Sequence, residues 1–200
     1  MKRLQKQNPN TVEYWSTKKG VTSIPADSFK FRNIANHIGD DSHVVDLGCG
    51  DGRLCELIRE VNKGGVVHGV DFVKYERSDK TQVEYHIADV TDTGLKNGFD
   101  YVISTETLEH LTKPQELIDE VYRLLKPAGK FILTTPYTNH IPSPEHMWEF
   151  VYEDVKTMLE KFSRSWVFPW SSGVTEVKNE LGEVVYPRGH WDTIMGIAIK

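Results

Sequence analysis

Two cysteines in 200 residues are too few for a disulfide framework, and both, Cys49 and Cys55, fall in one short stretch. That scarcity suits a reducing compartment, so a cytoplasmic location is expected. No apolar run approaches the ~20 residues of a membrane span, and the polar start Met1-Lys2-Arg3 leads into no signal-peptide core. Basic excess is missing as well: the net charge is −5, which disfavours a general nucleic-acid binder. Internal repeats and low-complexity tracts are absent. The hydrophobic share of 38% is still that of a globular chain, and 200 residues suit one domain with a sizeable core.

What is present centres on Val44-Val45-Asp46-Leu47-Gly48-Cys49-Gly50-Asp51-Gly52. Val44 to Leu47 reads as a buried strand, and Leu54, Leu57, Ile58 and Val61 recur behind it at helical spacing. Glycines at alternate positions remove Cβ atoms from the turn, so its backbone can approach a ligand closely. Asp46 sits at the strand's carboxyl end, where open α/β sheets place their ligands. A nicotinamide-dinucleotide fingerprint fits poorly, because the third glycine comes one residue early, at Gly52, and no Lys-Ser/Thr pair makes a P-loop. Cys49 reads as a small residue filling a tight turn rather than as a reactive thiol.

From there strands and helices alternate. Val66 to Asp71 is a second strand, Val83 to Ala88 a third ending at Asp89, and Phe99 to Ser104 a fourth that delivers Thr105 and Glu106. Thr112 and Pro114 open an amphipathic helix with Leu117, Ile118, Val121, Leu124 and Leu125 on one face, which Pro127 and Gly129 stop. Lys130 to Thr135 is a fifth strand, followed by a loop from Tyr137 to Trp148 and a helix near Glu153 to Lys161. Ser165 to Phe168 and Thr193 to Ile199 are further strands, with a hairpin between them turning at Leu181-Gly182-Glu183. Ahead of the first strand, Asp27 or Ser28 caps a helix carrying Phe29, Phe31, Ile34, Ala35 and Ile38. The rhythm predicts a doubly wound, mostly parallel sheet with helices on both faces. Tyr14-Trp15, the one aromatic spot of the polar opening, either docks on the core or lines a ligand pocket.

Asp71 follows Asp46 by 25 residues, close to the ~20-residue offset at which an acid grips a ribose diol in nucleotide-binding βαβ units. Asp89 can accept from an adenine amino group, and Phe72 can pack on the adenine face. The pattern Asp46, Gly48, Gly50, Gly52 resembles the first motif of the class I S-adenosylmethionine (SAM)-dependent methyltransferases. Asp71 matches the family's ribose acid, Ala88-Asp89-Val90 its adenine-side motif, and Leu124-Leu125-Lys126-Pro127-Ala128-Gly129-Lys130 the passage before its fifth strand. The resemblance implies a Rossmann-like seven-stranded sheet whose last strand runs antiparallel. It implies SAM as cofactor, held by Asp46, Gly48, Cys49, Gly50, Asp51, Gly52, Asp71, Phe72, Ala88, Asp89, Val90 and Thr105, with Tyr14 and Trp15. The very short segment between Asp71 and Val83 departs from the family, which usually has a fuller helix there. On this reading residues 1–40 cover the cofactor site and 41–200 form the methyltransferase domain, with acceptor-side elements in 136–200.

A second constellation, Glu106-Thr107-Leu108-Glu109-His110, places Glu106, Glu109 and His110 on one face if it is helical, and His146 is a candidate fourth ligand from the next loop. The pattern resembles two metal-assisted groups, the ubiquinone-biosynthesis O-methyltransferases and the small-RNA 3′-terminal 2′-O-methyltransferases. Both methylate one of two neighbouring hydroxyls. The resemblance implies Mg or Mn at Glu106, Glu109, His110 and His146; without metal, His110 or His146 is the general base, ahead of His140 and His190. Trp148, Trp166, Trp170 and Trp191 are expected to divide between acceptor stacking and core packing. A small-molecule hydroxyl acceptor is favoured over an RNA end, a non-catalytic SAM-binding partner remains as the alternative, and no membrane partner is expected.

Overall fold

The computed structural model describes residues 1–18, 29–75, 82–138, 143–170, 177–178, 184–185 and 193–200. The chain opens with β1 (Lys2–Arg3), the short helix α1 (Val12–Ser16) and α2 (Phe29–Ala35). β2 (His43–Leu47), α3 (Arg53–Val61), β3 (Val66–Asp71), β4 (Glu84–Ile87) and β5 (Phe99–Thr105) follow. A single 3-10 turn (Leu108–His110) leads to α4 (Pro114–Leu124) and β6 (Leu125–Pro136). β7 (Trp148–Glu149), α5 (Tyr152–Met158), β8 (Arg164–Trp170), β9 (Val177–Lys178), β10 (Val184–Val185) and β11 (Thr193–Ile199) complete it.

Seven strands form one sheet in the order β4-β3-β2-β5-β6-β11-β8. β11 pairs antiparallel with both β6 and β8, and the other pairings are parallel, as the resemblance implied. Alternation along the strands sends Val45, Leu47 and Val70 to a core shared with α4 and α5, and Val44 and Val67 to the opposite core under α2 and α3. The reversal of strand order falls between β2 and β5, so the carboxyl ends of β2 to β6 open onto one crevice.

Several boundaries moved. Leu125 does not end the amphipathic helix but begins β6, at φ −65° and ψ 140°. Pro127 disfavours helical backbone in the residue before it, and the register with β5 shifts between Phe99 and Tyr101, so the Lys-Pro-Ala-Gly passage is a bulge within a long strand. Thr112 does not cap α4: its hydroxyl instead accepts from Asn8 Nδ2 at 3.1 Å, and Lys113 stands at the cap. α5 ends at Met158, three residues before the expected Lys161. β9 and β10 pair antiparallel in the expected hairpin region, while its turn Leu181-Gly182-Glu183 lies outside the described residues, as do Asp27, Ser28, His140, His190 and Trp191.

Candidate functional site

β2 runs into the glycine turn, which backbone hydrogen bonds tie to β3: Gly48 N and Cys49 N both donate to Val70 O, at 2.8 and 3.0 Å. Gly48 and Gly52 stand at φ +82° and +87°, where a Cβ is strained. A Cβ on Gly48 would also strike the Thr107 side chain, and one on Gly52 the Tyr85 ring. Asp71, buried at the end of β3, accepts from Gly50 N at 2.9 Å and from Val73 N at 3.0 Å. The expected ribose acid is therefore also the brace that holds the glycine turn against the next strand. Asp51 pairs with Arg53 at 2.8 Å. Cys55 is sealed in the core, and its hydrogen bond with Cys49 together with burial pushes its thiol well above the ordinary value.

Above these strand ends lies a cavity of about 820 Å³. Asp46, Gly48, Cys49, Gly50, Asp51 and Asp71 line one side, and Phe72, Asp89, Val90 and Thr105 continue it. Three expected positions stand behind the wall: Gly52 starts α3, Ala88 packs on the core, and Tyr14 turns its hydroxyl to Glu145. The other side is lined by Trp15, Lys30, Glu106, Glu109, His110 and His146, with Asn10 and Glu145 between them.

Glu109, His110 and His146 place one ligand atom each within 4.8 Å of one another. Glu106 diverges. Its backbone is left-handed, at φ 50°, and its carboxylate is held by the buried Lys30 ammonium and by Thr134 Oγ1 at 2.9 Å. The 3-10 turn after it is too tight for the shared helical face that the spacing suggested. Glu109 Oε2 accepts from Thr135 Oγ1 at 2.9 Å, whereas Oε1 is buried, accepts no hydrogen bond and lies 3.7 Å from His110 Nε2. Burial, and then repulsion from Glu106, push the Glu109 carboxyl well above its usual range.

Burial lowers the His110 pKa. Its Nδ1 lies 3.0 Å from Glu145 O, a carbonyl that can only accept, so Nδ1 carries the proton and Nε2 keeps its lone pair. Trp15 and His146 each meet the His110 ring edge-on, at 5.3 and 5.2 Å between centroids. Glu145 fixes this loop. Burial opposes its ionisation, but hydrogen bonds from Ser143, Tyr14 and Lys18 outweigh that and bring it down to about 2.

Sequence reasoning missed Lys30, Asn10 and Glu145. Lys30 had a signal, a cation inside the apolar run Phe29, Phe31, Ile34. Asn10 and Glu145 had none, because Asn10 Nδ2 reaches the carbonyls of His110 and Glu145 only through the fold, at 3.0 and 2.8 Å. The tryptophans moved the other way. Trp148 packs on the core and donates to Leu111 O at 2.9 Å, Trp166 is exposed on β8, and Trp170 packs on the other core. Among the described residues Trp15 is the one tryptophan lining the cavity.

A glycine cradle with no room for side chains and carboxylates at three successive strand ends suit an adenosyl cofactor, and they define a class I SAM-dependent methyltransferase. The chain belongs to the family whose model is described as a methyltransferase domain, matched over residues 38–182. The ubiquinone biosynthesis O-methyltransferase of Xanthomonas oryzae pv. oryzae is 36% identical over 104 residues, 47% of this chain and 43% of that protein. The chain spans about half the length of the curated relatives it matches. Among solved structures, Burkholderia thailandensis 1,6-didemethyltoxoflavin-N1-methyltransferase, with 1,6-didemethyltoxoflavin and S-adenosylhomocysteine bound, aligns at TM-score 0.66 and 18% identity, over 94% of this chain and 84% of that one. A SAM-dependent methyltransferase from Archaeoglobus fulgidus aligns at 0.65 and 18% identity, over 86% and 91%. At such identities the structures speak for the fold.

Proposed function

We propose that this protein methylates a hydroxyl of a small molecule carrying two neighbouring oxygens, a diol or catechol, with a divalent cation held by Glu109, His110 and His146. The observation that supports this reading most is the convergence of those three ligand atoms beside the glycine cradle. One carboxylate and two imidazoles suit a divalent ion, and Glu109 Oε1 is a buried acceptor lacking the partner such an ion would be.

SAM, when bound, presents a methyl group on a sulfonium for in-line displacement, so alignment supplies much of the acceleration. A cation, when bound, lowers the pKa of a hydroxyl it polarises. The chain's own groups do the rest. Asp71 and Asp89 orient the cofactor's ribose and adenine ends. His110, its Nδ1 proton committed to Glu145 O, offers Nε2 as a ligand or as the acceptor of the hydroxyl proton. Lys30 neutralises Glu106, so the cavity floor carries less negative charge against an ionising hydroxyl. Of residues 1–40, expected to cover the cofactor site, Asn10 and Trp15 close over His110. Net charge −5 and the acids of the lining favour a small acceptor over RNA.

The test is formation of S-adenosylhomocysteine by the chelator-treated full chain, offered catechols and vicinal diols with and without Mn2+. Turnover that needs Mn2+ is expected. Turnover indifferent to chelation would remove the cation and leave His110 Nε2 as the base. Binding of S-adenosylhomocysteine without turnover on any hydroxyl would leave a SAM-binding partner protein.

A further inference from the structure

A cluster of ligating side chains that the methyltransferase site does not use sits at the outer edge of the sheet. His68 of β3 pairs directly with Glu84 of β4, and His86 follows Glu84 by two residues, so strand alternation puts all three on one face. His68 Nδ1 lies 2.9 Å from His86 Nε2 and 3.6 Å from Glu84 Oε2. The three ligand atoms lie within 4.8 Å of one another, and none of these residues lines the cavity. Tetrahedral coordination at bonds of about 2.0–2.1 Å sets neighbouring ligand atoms ~3.3 Å apart, between the two separations found here.

The cluster is framed on one side and open on the other. Phe99 meets the His68 ring edge-on at 5.3 Å, and the two imidazoles lie within 21° of parallel. β4 is the edge strand, and no helix is present in the link from β4 to β5 to cover this face. Glu84 is exposed, and among the described residues no Lys or Arg pairs with it.

We propose that His68, Glu84 and His86 bind a divalent transition-metal ion, Zn2+ by donor type, with a remaining position left to water. Two imidazoles and one carboxylate suit such an ion, whereas Ca2+ and Mg2+ take oxygen ligands. The ion clips β4, hydrogen-bonded on one side only, to β3. Because β3 delivers Asp71 and β4 leads to Asp89, the clip braces the strand ends beside the cofactor.

The test is calorimetric titration of the chelator-treated full chain with Zn2+, with thermal melting alongside, in a His146→Ala background that disables the cavity cluster. His146→Ala is expected to bind one equivalent and to melt higher with Zn2+. Adding His86→Ala or Glu84→Gln is expected to weaken binding at least about tenfold, the loss typical of even an outer-shell partner, and to abolish the melting shift. Glu84→Gln, exposed and of the same shape, keeps the test open if His86→Ala fails to fold. No Zn2+ binding in His146→Ala, or binding unchanged in the double variants, would overturn the site.

Discussion

The two sides of the cavity are built by opposite means. The proposed cofactor side comes mainly from strands consecutive in the chain, β2, β3 and β4, and from a turn whose shape is set by glycine backbone and one carboxylate brace. The proposed acceptor side is assembled from side chains of remote segments: Lys30 reaches Glu106 across 76 positions, and Asn10 reaches Glu145 across 135. A site made by local backbone geometry is written in short motifs. One made by side chains meeting across the fold has no motif to carry it.

The comparison breaks most sharply on chemistry. Glu109→Gln or His146→Ala should lower methyl transfer about 10²–10⁴-fold while S-adenosylhomocysteine binding stays near the wild-type level. A parallel loss of binding, read by calorimetry, would show that the two sides are not separable. Asp71→Asn should do the reverse. It exchanges an ionised acceptor for a neutral one and loosens the brace on Gly50, so cofactor-product affinity should fall about 10–100-fold. Turnover at saturating SAM should suffer less.

The smallest effect is expected away from both sides. Glu120 on α4 accepts from Thr93 N at 3.0 Å and from Arg123 Nε at 2.6 Å. Burial alone would raise its carboxyl, but Arg123 and Thr93 outweigh burial and hold it below its ordinary value of 4.5. The contribution is therefore fully present above 4.5 and lost as pH falls through the folded-state value. Glu120→Gln should cost about 1–2 kcal/mol of stability at pH 7 with cofactor binding unchanged. Its denaturation midpoint should converge on the wild type as pH drops below 4.5.

The same contrast governs what could be read beforehand. Asp46 to Gly52 announced both turn and ligand because close backbone approach demands glycine at fixed spacing. Glu109, His110 and His146 were legible as residue types, but Glu106 was not separable from them. Its left-handed backbone and its capture by Lys30 depend on α2 packing against the crevice. The tryptophans could not be apportioned beforehand for a related reason. Aromatic content shows how much area a chain can bury, not where, and Trp148 found its partner in the Leu111 carbonyl and the core.

By itself the sequence determined the parallel sheet, the glycine cradle and the three strand-end acids, because hydrophobic period and turn chemistry act within a few residues. Only the tertiary structure decided which of the acids and imidazoles stand together. It drew Lys30 onto Glu106, set the His110 tautomer through Glu145 O and brought His68, Glu84 and His86 to one sheet edge. Those outcomes depend on distances across the fold and on burial, which local sequence does not encode.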